Sequence, residues 1–210
     1  MTILNDSQII ELVKSHNMIE NFQPNLIREV EDYDINQSFN SYHNPNKRKV
    51  ISYGLSSYGY DLTLSSNDFK IFNHLPGEIV NPKKFNPNFL FNAELNRSIY
   101  GEYFILPKNT YALGVVNEKI NIPNDITVLF IGKSTYARCG IIANLTPGEA
   151  GWTGYLTVEI SNSSSADVMI FVNEGIVQAL FFKGDPCITS YEDRFGKYQN
   201  QEKQVTFSKV

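Results

Sequence analysis

Residues 126–160 read ITVLFIGKSTYARCGIIANLTPGEAGWTGYLTVEI, and this stretch decides the fold. Two apolar runs, 126–131 and 141–145, have the length of strands and are separated by a polar turn. The following segment, 155–160, alternates, so that Leu156, Val158 and Ile160 are predicted to face one way. The stretch therefore predicts three strands.

The same pattern extends over most of the chain. From residue 50 onward, apolar or alternating runs recur about every 8 to 12 residues between Gly, Pro and Asn, which is typical of a β barrel or sandwich. Residues 6–16 instead show helical spacing behind an N-cap at Asn5 or Asp6. We therefore predict a mainly β protein with a short N-terminal helix. The further predicted strands are 60–64, 69–72, 103–106, 111–116, 168–172 and 176–182.

Composition limits the classes of protein. A chain of 210 residues with 42% hydrophobic residues suits a single domain, 1–210, with a substantial core. The net charge of −4 predicts no general attraction to nucleic acid, so an anionic ligand needs a local basic cluster. Cys139 and Cys187 predict reduced thiols in a cytoplasmic protein, and no apolar run is long enough to span a membrane.

Two segments are polar and lack a core pattern. Residues 31–49 are rich in Asn and Ser, and we predict a surface loop there. Residues 190–210 are predicted to form a flexible C-terminal tail that is disordered or folds over a ligand.

Lys133, Ser134, Thr135 and Arg138 place cationic and hydroxyl groups close together in the sequence. Such groups hold polyphosphates. Glu159, on the polar side of the next predicted strand, is a candidate proton carrier if that side lines a cleft. The alternative is a charged turn followed by a solvent-exposed strand face.

Three further polar residues stand out. Glu149 lies with Trp152 in a glycine-rich turn, 146–154, which is typical of a hairpin with an aromatic anchor or of a sugar site approached along the glycines. Asp61 is expected to anchor hydrogen bonds at the start of a strand. Gln178 interrupts an apolar run and requires a specific partner.

Several catalytic signatures are missing from the sequence. No His-x-Glu or Cys-x-x-Cys is present, so the zinc-dependent base deaminase signature is absent. No histidine accompanies Ser134 to suggest a Ser-His-Asp site. Gly132-Lys133-Ser134 lacks the upstream glycine of a Walker motif.

Four segments together resemble the dCTP deaminase branch of the trimeric dUTPase-like superfamily. They are 52–65 (SYGLSSYGYDLTLS), 131–162, 173–182 (NEGIVQALFF) and 190–201 (SYEDRFGKYQNQ), in the family's order, with 31–49 as an insertion. The resemblance implies a distorted β barrel of the β-clip type, a homotrimer with active sites where subunits meet, and zinc-independent deamination of dCTP to dUTP. Mg²⁺ would bind the triphosphate, with no metal ligands from side chains.

The resemblance also implies roles for single residues. Glu159 would be the general base, and Arg138 with Ser134 would hold the attacking water and the base amine. Glu149 is a longer carboxylate than the aspartate that usually binds the sugar 3′-hydroxyl in this family. The remaining implied substrate contacts are Lys133, Thr135, Tyr136 and Ala137, the backbone at Thr157, Val158 and Glu159, and Gln178, Tyr191, Lys197 and Gln201.

Other functions on the same scaffold stay open. A pure dUTPase is disfavoured because 197–201 (KYQNQ) lacks that branch's glycine-rich tail pattern. A bifunctional enzyme that converts dCTP to dUMP shares the scaffold, and a non-catalytic nucleotide-binding regulator is disfavoured by the intact Glu159, Ser134 and Arg138. The implied partners are dCTP and dUTP, with neither nucleic acid nor membrane. Feedback inhibition by dTTP and a cellular or viral source (host cytoplasm if viral) are left open.

Overall fold

A computed structural model describes residues 1–31 and 47–210 of the chain. The strands in these residues are β1 (Thr2–Ile3), β2 (Ile27–Glu31), β3 (Lys47–Ser56), β4 (Gly59–Phe72), β5 (Leu90–Asn92), β6 (Asn96–Ser98), β7 (Gly101–Leu106), β8 (Tyr111–Asn121), β9 (Ile126–Gly132), β10 (Ile141–Asn144), β11 (Thr153–Asn162), β12 (Val168–Phe171) and β13 (Gly175–Lys183). The helices are α1 (Asp6–His16), α2 (Ser134–Ala137) and a 3₁₀ turn at Pro87–Phe89.

Most strands belong to one curled sheet with the order β1-β13-β4-β8-β11-β10. In the same sheet, β9 pairs with β13, while β4 also pairs with β3 and with β5, and β3 pairs with β2. Strands β12, β7 and β6 form a small separate sheet. Each of these strand pairs is antiparallel. The predicted mainly β class with a distorted barrel is confirmed, and the barrel takes the form of a curled sheet with β1 and β10 at the two ends of its order.

The central strand β4 is buried on both faces between residues 59 and 65. Tyr60, Leu62 and Leu64 are fully buried in the hydrophobic core. The alternate residues Asp61 and Thr63 are also buried but polar, so each needs a partner from another strand. On this polar face of β4, Asp61 meets Lys133 and Gln178, two of the predicted site residues.

Helix α1 begins and ends where its sequence predicts. Asn5 and Gln8 form a reciprocal capping box, with the Gln8 amide 3.1 Å from Asn5 Oδ1 and the Asn5 amide 3.0 Å from Gln8 Oε1. Asn17 ends the helix in the left-handed conformation (φ 49°). Ile9 and Leu12 then pack into the core, which confirms the N-terminal helix and settles the cap on Asn5.

Two predicted boundaries are wrong. The loop expected at 31–49 begins and ends in strands, since Glu31 pairs with Lys47 and Glu29 pairs with Lys49 in the β2–β3 ribbon; residues 32–46 lie outside the described part. The segments 60–64 and 69–72 form one strand rather than two, because β4 continues along β8 past a register shift between Leu64 and Phe69. Within the described ranges, no helix is long and apolar enough to cross a membrane.

Candidate active site

A cavity of about 640 Å³ lies between β8, β11, the turn at 145–152 and the tail, residues 190–210. We call it the site cavity. Thr157 and Glu159 of β11 line it, together with Tyr111 and Leu113 of β8. The segment after β4 closes another side with Phe85 and its neighbours. Carboxyl, hydroxyl and aromatic groups therefore meet in one concave space, as ligand sites require.

Glu159 is held in the sheet between two neighbouring strands. It lies opposite Leu113 on β8 and Asn144 on β10. Its side chain is largely buried, and this burial raises the pKa of Glu159 from 4.5 to about 7. A carboxyl group with a pKa near neutrality can both accept and return a proton. Glu159 thus lines a cleft rather than a solvent-exposed strand face, while its catalytic role stays a prediction.

The strand that carries Glu159 is irregular just before it. The register between β11 and β8 shifts between Tyr155 and Thr157. In this shift the single residue Leu156 of β11 lies opposite three residues of β8, 116–118, so the bulge is in β8. Leu156 packs against the core with Val158 and Ile160, as alternation predicts, and it also lines the site cavity beside Thr157.

The edge of β11 that faces away from β8 is hydrogen-bonded at both ends but not in the middle. β10 pairs with it from Glu159 onward. At the other end the tail takes the edge: the Tyr155 amide donates to the Gln201 carbonyl (3.0 Å) and the Asn200 amide donates to the Thr153 carbonyl (2.8 Å). Among the described residues, no strand pairs with 156–158 on this edge. Backbone groups beside Glu159 are therefore available to a ligand.

The space beside the glycines of the turn is occupied by other residues of the protein. A Cβ on Gly148 would lie 2.7 Å from Ile122 and 3.0 Å from Phe130, and a Cβ on Gly154 would lie 2.7 Å from the Gln201 amide nitrogen. Trp152 is buried. These contacts match the interpretation as a hairpin with an aromatic anchor, and the glycines serve packing rather than an approach by a sugar.

Glu149 projects from the same turn and lines the site cavity. It is exposed, and its Oε2 atom lies 3.5 Å from an Arg194 guanidinium nitrogen on the tail. Such an exposed ion pair contributes little to stability. The carboxylate is consequently free to exchange this partner for a ligand hydroxyl.

The tail follows a defined path over the site cavity. The Tyr191 hydroxyl accepts a hydrogen bond from the Tyr198 amide (3.0 Å), and Lys197 Nζ donates to the Lys209 carbonyl (2.7 Å). Gln201 Oε1 lies 3.5 Å from the Thr157 hydroxyl. Tyr191, Lys197 and Gln201 all line the cavity, as predicted. The expectation that the tail has no core residue is wrong, because Val205 is buried and its amide donates to Asp68 (2.7 Å).

Residues 133–138 lie elsewhere in the chain, since none of them lines the site cavity. Ser134, Thr135, Ala137 and Arg138 are exposed on and beside α2, and an Arg138 guanidinium nitrogen donates to the Ser134 carbonyl (3.0 Å). The structure therefore brings Glu149, Thr157, Glu159, Tyr191, Lys197 and Gln201 together but keeps Ser134 and Arg138 apart from them.

The side chain of Tyr136, a predicted substrate contact, is directed into the core. Its side chain is buried in the core, where the hydroxyl accepts a hydrogen bond from the Phe171 amide (2.8 Å). An aromatic residue in a short helix next to the sheet is buried because it covers apolar surface there. Only the backbone of Tyr136 can take part in binding.

Lys133 and Gln178 meet Asp61 on the polar face of β4. Lys133 Nζ pairs with Asp61 Oδ2 and lies 3.2 Å from the Ser52 hydroxyl. Gln178 is opposite Asp61 in the β13–β4 register and donates to the Ser56 hydroxyl (3.4 Å). Burial raises the pKa of Asp61, the Lys133 ion pair opposes this rise, and Asp61 Oδ1 has no hydrogen-bond partner within 1–31 and 47–210. The specific partner expected for Gln178 is thus this cluster.

Several residues around the site cavity were not predicted from the sequence. Tyr111 and Phe72 come from two strands that are distant in sequence, and their rings pack edge to face at 5.2 Å. Phe85 and Phe207 add a further pair at 5.7 Å. In a chain with many aromatic residues nothing local separates these four from core residues, so only the pairing of the strands identifies them.

A search for metal ligands gives a limited result. Across the described part of the chain, no three His, Cys, Asp or Glu side chains lie together in a way that could hold a metal ion. Independence from zinc stays a prediction. A magnesium ion carried by phosphate oxygens would reach the protein as part of a nucleotide and needs no such cluster.

Comparisons with known proteins agree on one family. A model of the dCTP deaminase-like family matches residues 3–184. A dCTP deaminase of Nitrosospira multiformis is 40% identical over 211 residues, 100% of both chains, and one of Francisella tularensis subsp. novicida is 43% identical over 203 residues, 96% of each.

One solved structure bears on the fold. The crystal structure of 2′-deoxycytidine 5′-triphosphate deaminase from Agrobacterium tumefaciens matches with a TM-score of 0.52 at 16% identity. The match covers 90% of this chain and 50% of that chain, so the present chain spans about half of its length. At this identity the likeness supports the fold alone.

Proposed function

Because the chain belongs to the dCTP deaminase-like family, we infer that it is an enzyme that catalyses the hydrolytic deamination of dCTP to dUTP and ammonia. The family predicted from the sequence is thereby confirmed. One observation indicates where the reaction takes place: Glu159 is buried in a cavity of suitable volume. This burial raises the pKa of its carboxyl group to about 7.

The proposed reaction uses Glu159 as both base and acid. The carboxylate accepts a proton from a water molecule while the water oxygen forms a bond to C4 of the cytosine. The protonated carboxyl group then delivers that proton to N3, which leaves a tetrahedral C4 that carries a hydroxyl and an amine. Glu159 next accepts the hydroxyl proton and passes it to the amine. The C4–N4 bond breaks, ammonia leaves, and C4 becomes a carbonyl, so dCTP and water are converted into dUTP and ammonia.

The base and sugar fit different parts of the site cavity. The unpaired edge at 156–158 offers backbone hydrogen-bonding groups for the cytosine edge, next to Glu159. Glu149, exposed in the turn and paired with Arg194, is placed to accept a hydrogen bond from a sugar hydroxyl. Tyr191 and Lys197 line the side of the cavity formed by the tail, where phosphates can be held.

We propose that the site is completed by a second copy of the chain in a homotrimer. Ser134 and Arg138 lie apart from Glu159 in one protomer, and they are exposed. Leu129, Ile131 and Ile142 are large apolar side chains between 37% and 53% exposed on the adjacent strands β9 and β10, and burial against a neighbour would stabilise them. A neighbour's Arg138 and Ser134 would then hold the water and the amine.

The phosphates would be enclosed from two chains. Lys133 and Gln178 of the neighbour and Lys197 and Gln201 of the tail would contact the triphosphate of a magnesium–dCTP complex. Because Lys133 donates to Asp61 and to Ser52 within one chain, it would contact phosphate with the remaining N–H bond of its ammonium group. dTTP carries the same triphosphate and would compete for this enclosure. The soluble nucleotide substrate suits an enzyme of the cytoplasm.

One assay tests the proposal and its alternatives. The protein is mixed with Mg²⁺ and either dCTP or dUTP, with or without a zinc-selective chelator, and dUTP, dUMP and pyrophosphate are separated by chromatography. We expect dUTP and ammonia at equal rates with and without the chelator. Formation of dUMP would identify the bifunctional enzyme, turnover of dUTP but not of dCTP would identify a dUTPase, and loss of activity on zinc chelation would contradict the proposed mechanism.

A further inference from the structure

A second cavity, of about 670 Å³, lies beside the site cavity. It is more open, and the polar side chains around it include Asn73, His74, Glu78 and Ser161. Three residues line both cavities: Phe72, Val80 and Tyr111. These three form a partition between the open second cavity and the space that contains Glu159.

Tyr111 is the member of the partition nearest to Glu159 in the sheet. In the β8–β11 register Tyr111 lies opposite Ser161 and Leu113 lies opposite Glu159. Tyr111 and Leu113 are two residues apart, so their side chains share a face with Glu159, and the Tyr111–Glu159 pair is diagonal, with about 7 Å between Cβ atoms. A tyrosine ring spans such a distance.

The ring of Tyr111 is fixed by other aromatic rings. It packs on Phe72 at 5.2 Å with an interplanar angle of 66°. Phe72 in turn packs on Phe85 at 5.9 Å, and Phe85 packs on Phe207 of the tail at 5.7 Å. This chain of contacts holds the partition closed and connects it to the tail that covers the site cavity.

We propose that Tyr111 is a positioning residue for the deamination inferred above, whose ring keeps the water of the second cavity away from the Glu159 carboxyl group. The carboxyl group then meets only the water that is to react. The proposal rests on the proposed function for its catalytic consequence, but the exclusion of water itself does not depend on the reaction.

Burial is the first cause of the raised pKa of Glu159, which is about 7. Burial also raises the pKa of Tyr111, and the nearby charge of Glu159 adds to that rise. Cations would lower the pKa of Glu159 and other carboxylates would raise it. The titratable groups that face Glu159 across the site cavity are Tyr111 from β8, Glu149 from the turn, and Tyr191, Lys197 and Tyr198 from the tail.

The test measures the Glu159 carboxyl group in the protein without nucleotide. Side-chain ¹³C NMR of glutamate-labelled protein follows its titration, with the signal assigned by its loss in Glu159→Gln and distinguished from Glu118 by its loss in Glu118→Gln. In Tyr111→Ser the two cavities join, and we expect the pKa of Glu159 to fall by about 1 pH unit or more toward its ordinary value. Tyr111→Phe keeps the ring and should keep the wild-type pKa.

Controls make the result specific. Tyr103, on β7, packs against Phe171 in a comparable pair at 5.9 Å and lines neither cavity, so Tyr103→Ser should leave the titration unchanged. If Tyr111→Ser does not fold, Tyr111→Leu decides, because leucine fills only part of the partition and should lower the pKa in the same direction. A wild-type pKa in the folded serine variant, or in the leucine variant when serine does not fold, would overturn the proposal.

Activity then separates the two inferences. The acidic limb of the pH profile for dCTP turnover should move down with the NMR value in Tyr111→Ser and stay in place in Tyr111→Phe. If the pKa moves but no variant deaminates dCTP, the partition is real and the proposed function is wrong. If dCTP is deaminated while the pKa does not move, the proposed function stands and the role of Tyr111 is wrong.

Discussion

The indole nitrogen of Trp152 donates a hydrogen bond of 2.8 Å to the main-chain carbonyl of Tyr198. This bond joins the turn that carries Glu149 to the tail that carries Lys197. Trp152 is buried and Tyr198 is partly buried, so the loss of the donor leaves a partly buried carbonyl group without this partner. The position of the tail over the site cavity is therefore coupled to one side chain of the turn.

We predict that Trp152→Phe loosens the tail while the sheet stays folded. The variant loses one hydrogen bond and leaves a small cavity, with a cost of about 1–2 kcal/mol. Hydrogen exchange should become faster at the amides of Tyr155 and Asn200, which are bonded between the tail and β11, and the KM for dCTP should rise. The Gly148 amide, bonded to Val128 beneath the same turn, is the internal control. Equal acceleration at Gly148 would indicate general unfolding, and unchanged exchange at all three amides would contradict the coupling.

A second prediction concerns the Glu159 side chain in turnover. Glu159→Gln keeps the shape but cannot accept a proton from water, so kcat should fall by about 10²–10⁴-fold. Binding of dCTP, measured by calorimetry, should persist because other groups hold the nucleotide. Glu118→Gln is a matched control: Glu118 is also buried, burial raises its pKa to about 7, and it accepts hydrogen bonds from Thr63 outside the site cavity. A similar loss of kcat in both variants would point to structure rather than to a general base.

The same carboxyl group should make stability depend on pH. Burial raises the pKa of Glu159 from 4.5 to about 7 in the folded protein, so between these values the folded state binds more protons than the unfolded state. Its contribution to the free energy of unfolding is therefore greatest below about pH 4.5 and is lost as the pH rises to about 7. Glutamine has no such dependence. The free energy of unfolding of Glu159→Gln, minus that of the wild type, should increase by about 1–3 kcal/mol from pH 4.5 to pH 8.

Urea unfolding at the two pH values measures this difference. If the glutamine amide changes the free energy of unfolding by a constant amount, that amount cancels, because only the change of the difference with pH is compared. Glu118 titrates in the same range but is present in both proteins, so its contribution also cancels. A difference between variant and wild type that does not change with pH would mean that Glu159 titrates normally.

The sequence was sufficient for those features that depend on local pattern. Residues 126–131 and 155–160 showed their strand character through apolar content and alternation, and the capping box at Asn5 marked the start of α1. Glu159 was identified because it lies on the polar side of a strand. The bulge in β8 opposite Leu156 escaped prediction because it is a property of two paired strands. The ion pair of Lys133 with Asp61 joins residues 72 apart in sequence, and no local signal specifies it.

That ion pair supports a final prediction, in which the structural and ligand-binding roles of Lys133 are separated. The side chains of Lys133 and Asp61 are only 11% and 5% exposed. Lys133→Met would leave the Asp61 carboxylate buried without a cation, and we expect a loss of about 3–5 kcal/mol in the free energy of unfolding. Asp61→Asn/Lys133→Met removes both charges together and should recover most of that loss.

The double variant then tests phosphate binding in a stable protein. If Lys133 also contacts the triphosphate, the KM for dCTP should stay raised in the double variant although its unfolding midpoint in urea has returned toward the wild-type value. Asp61→Asn alone keeps the lysine and is the control for the KM. A double variant with both wild-type stability and a wild-type KM would assign Lys133 to the fold only, and a single Lys133→Met variant as stable as the wild type would show that the buried pair is not required.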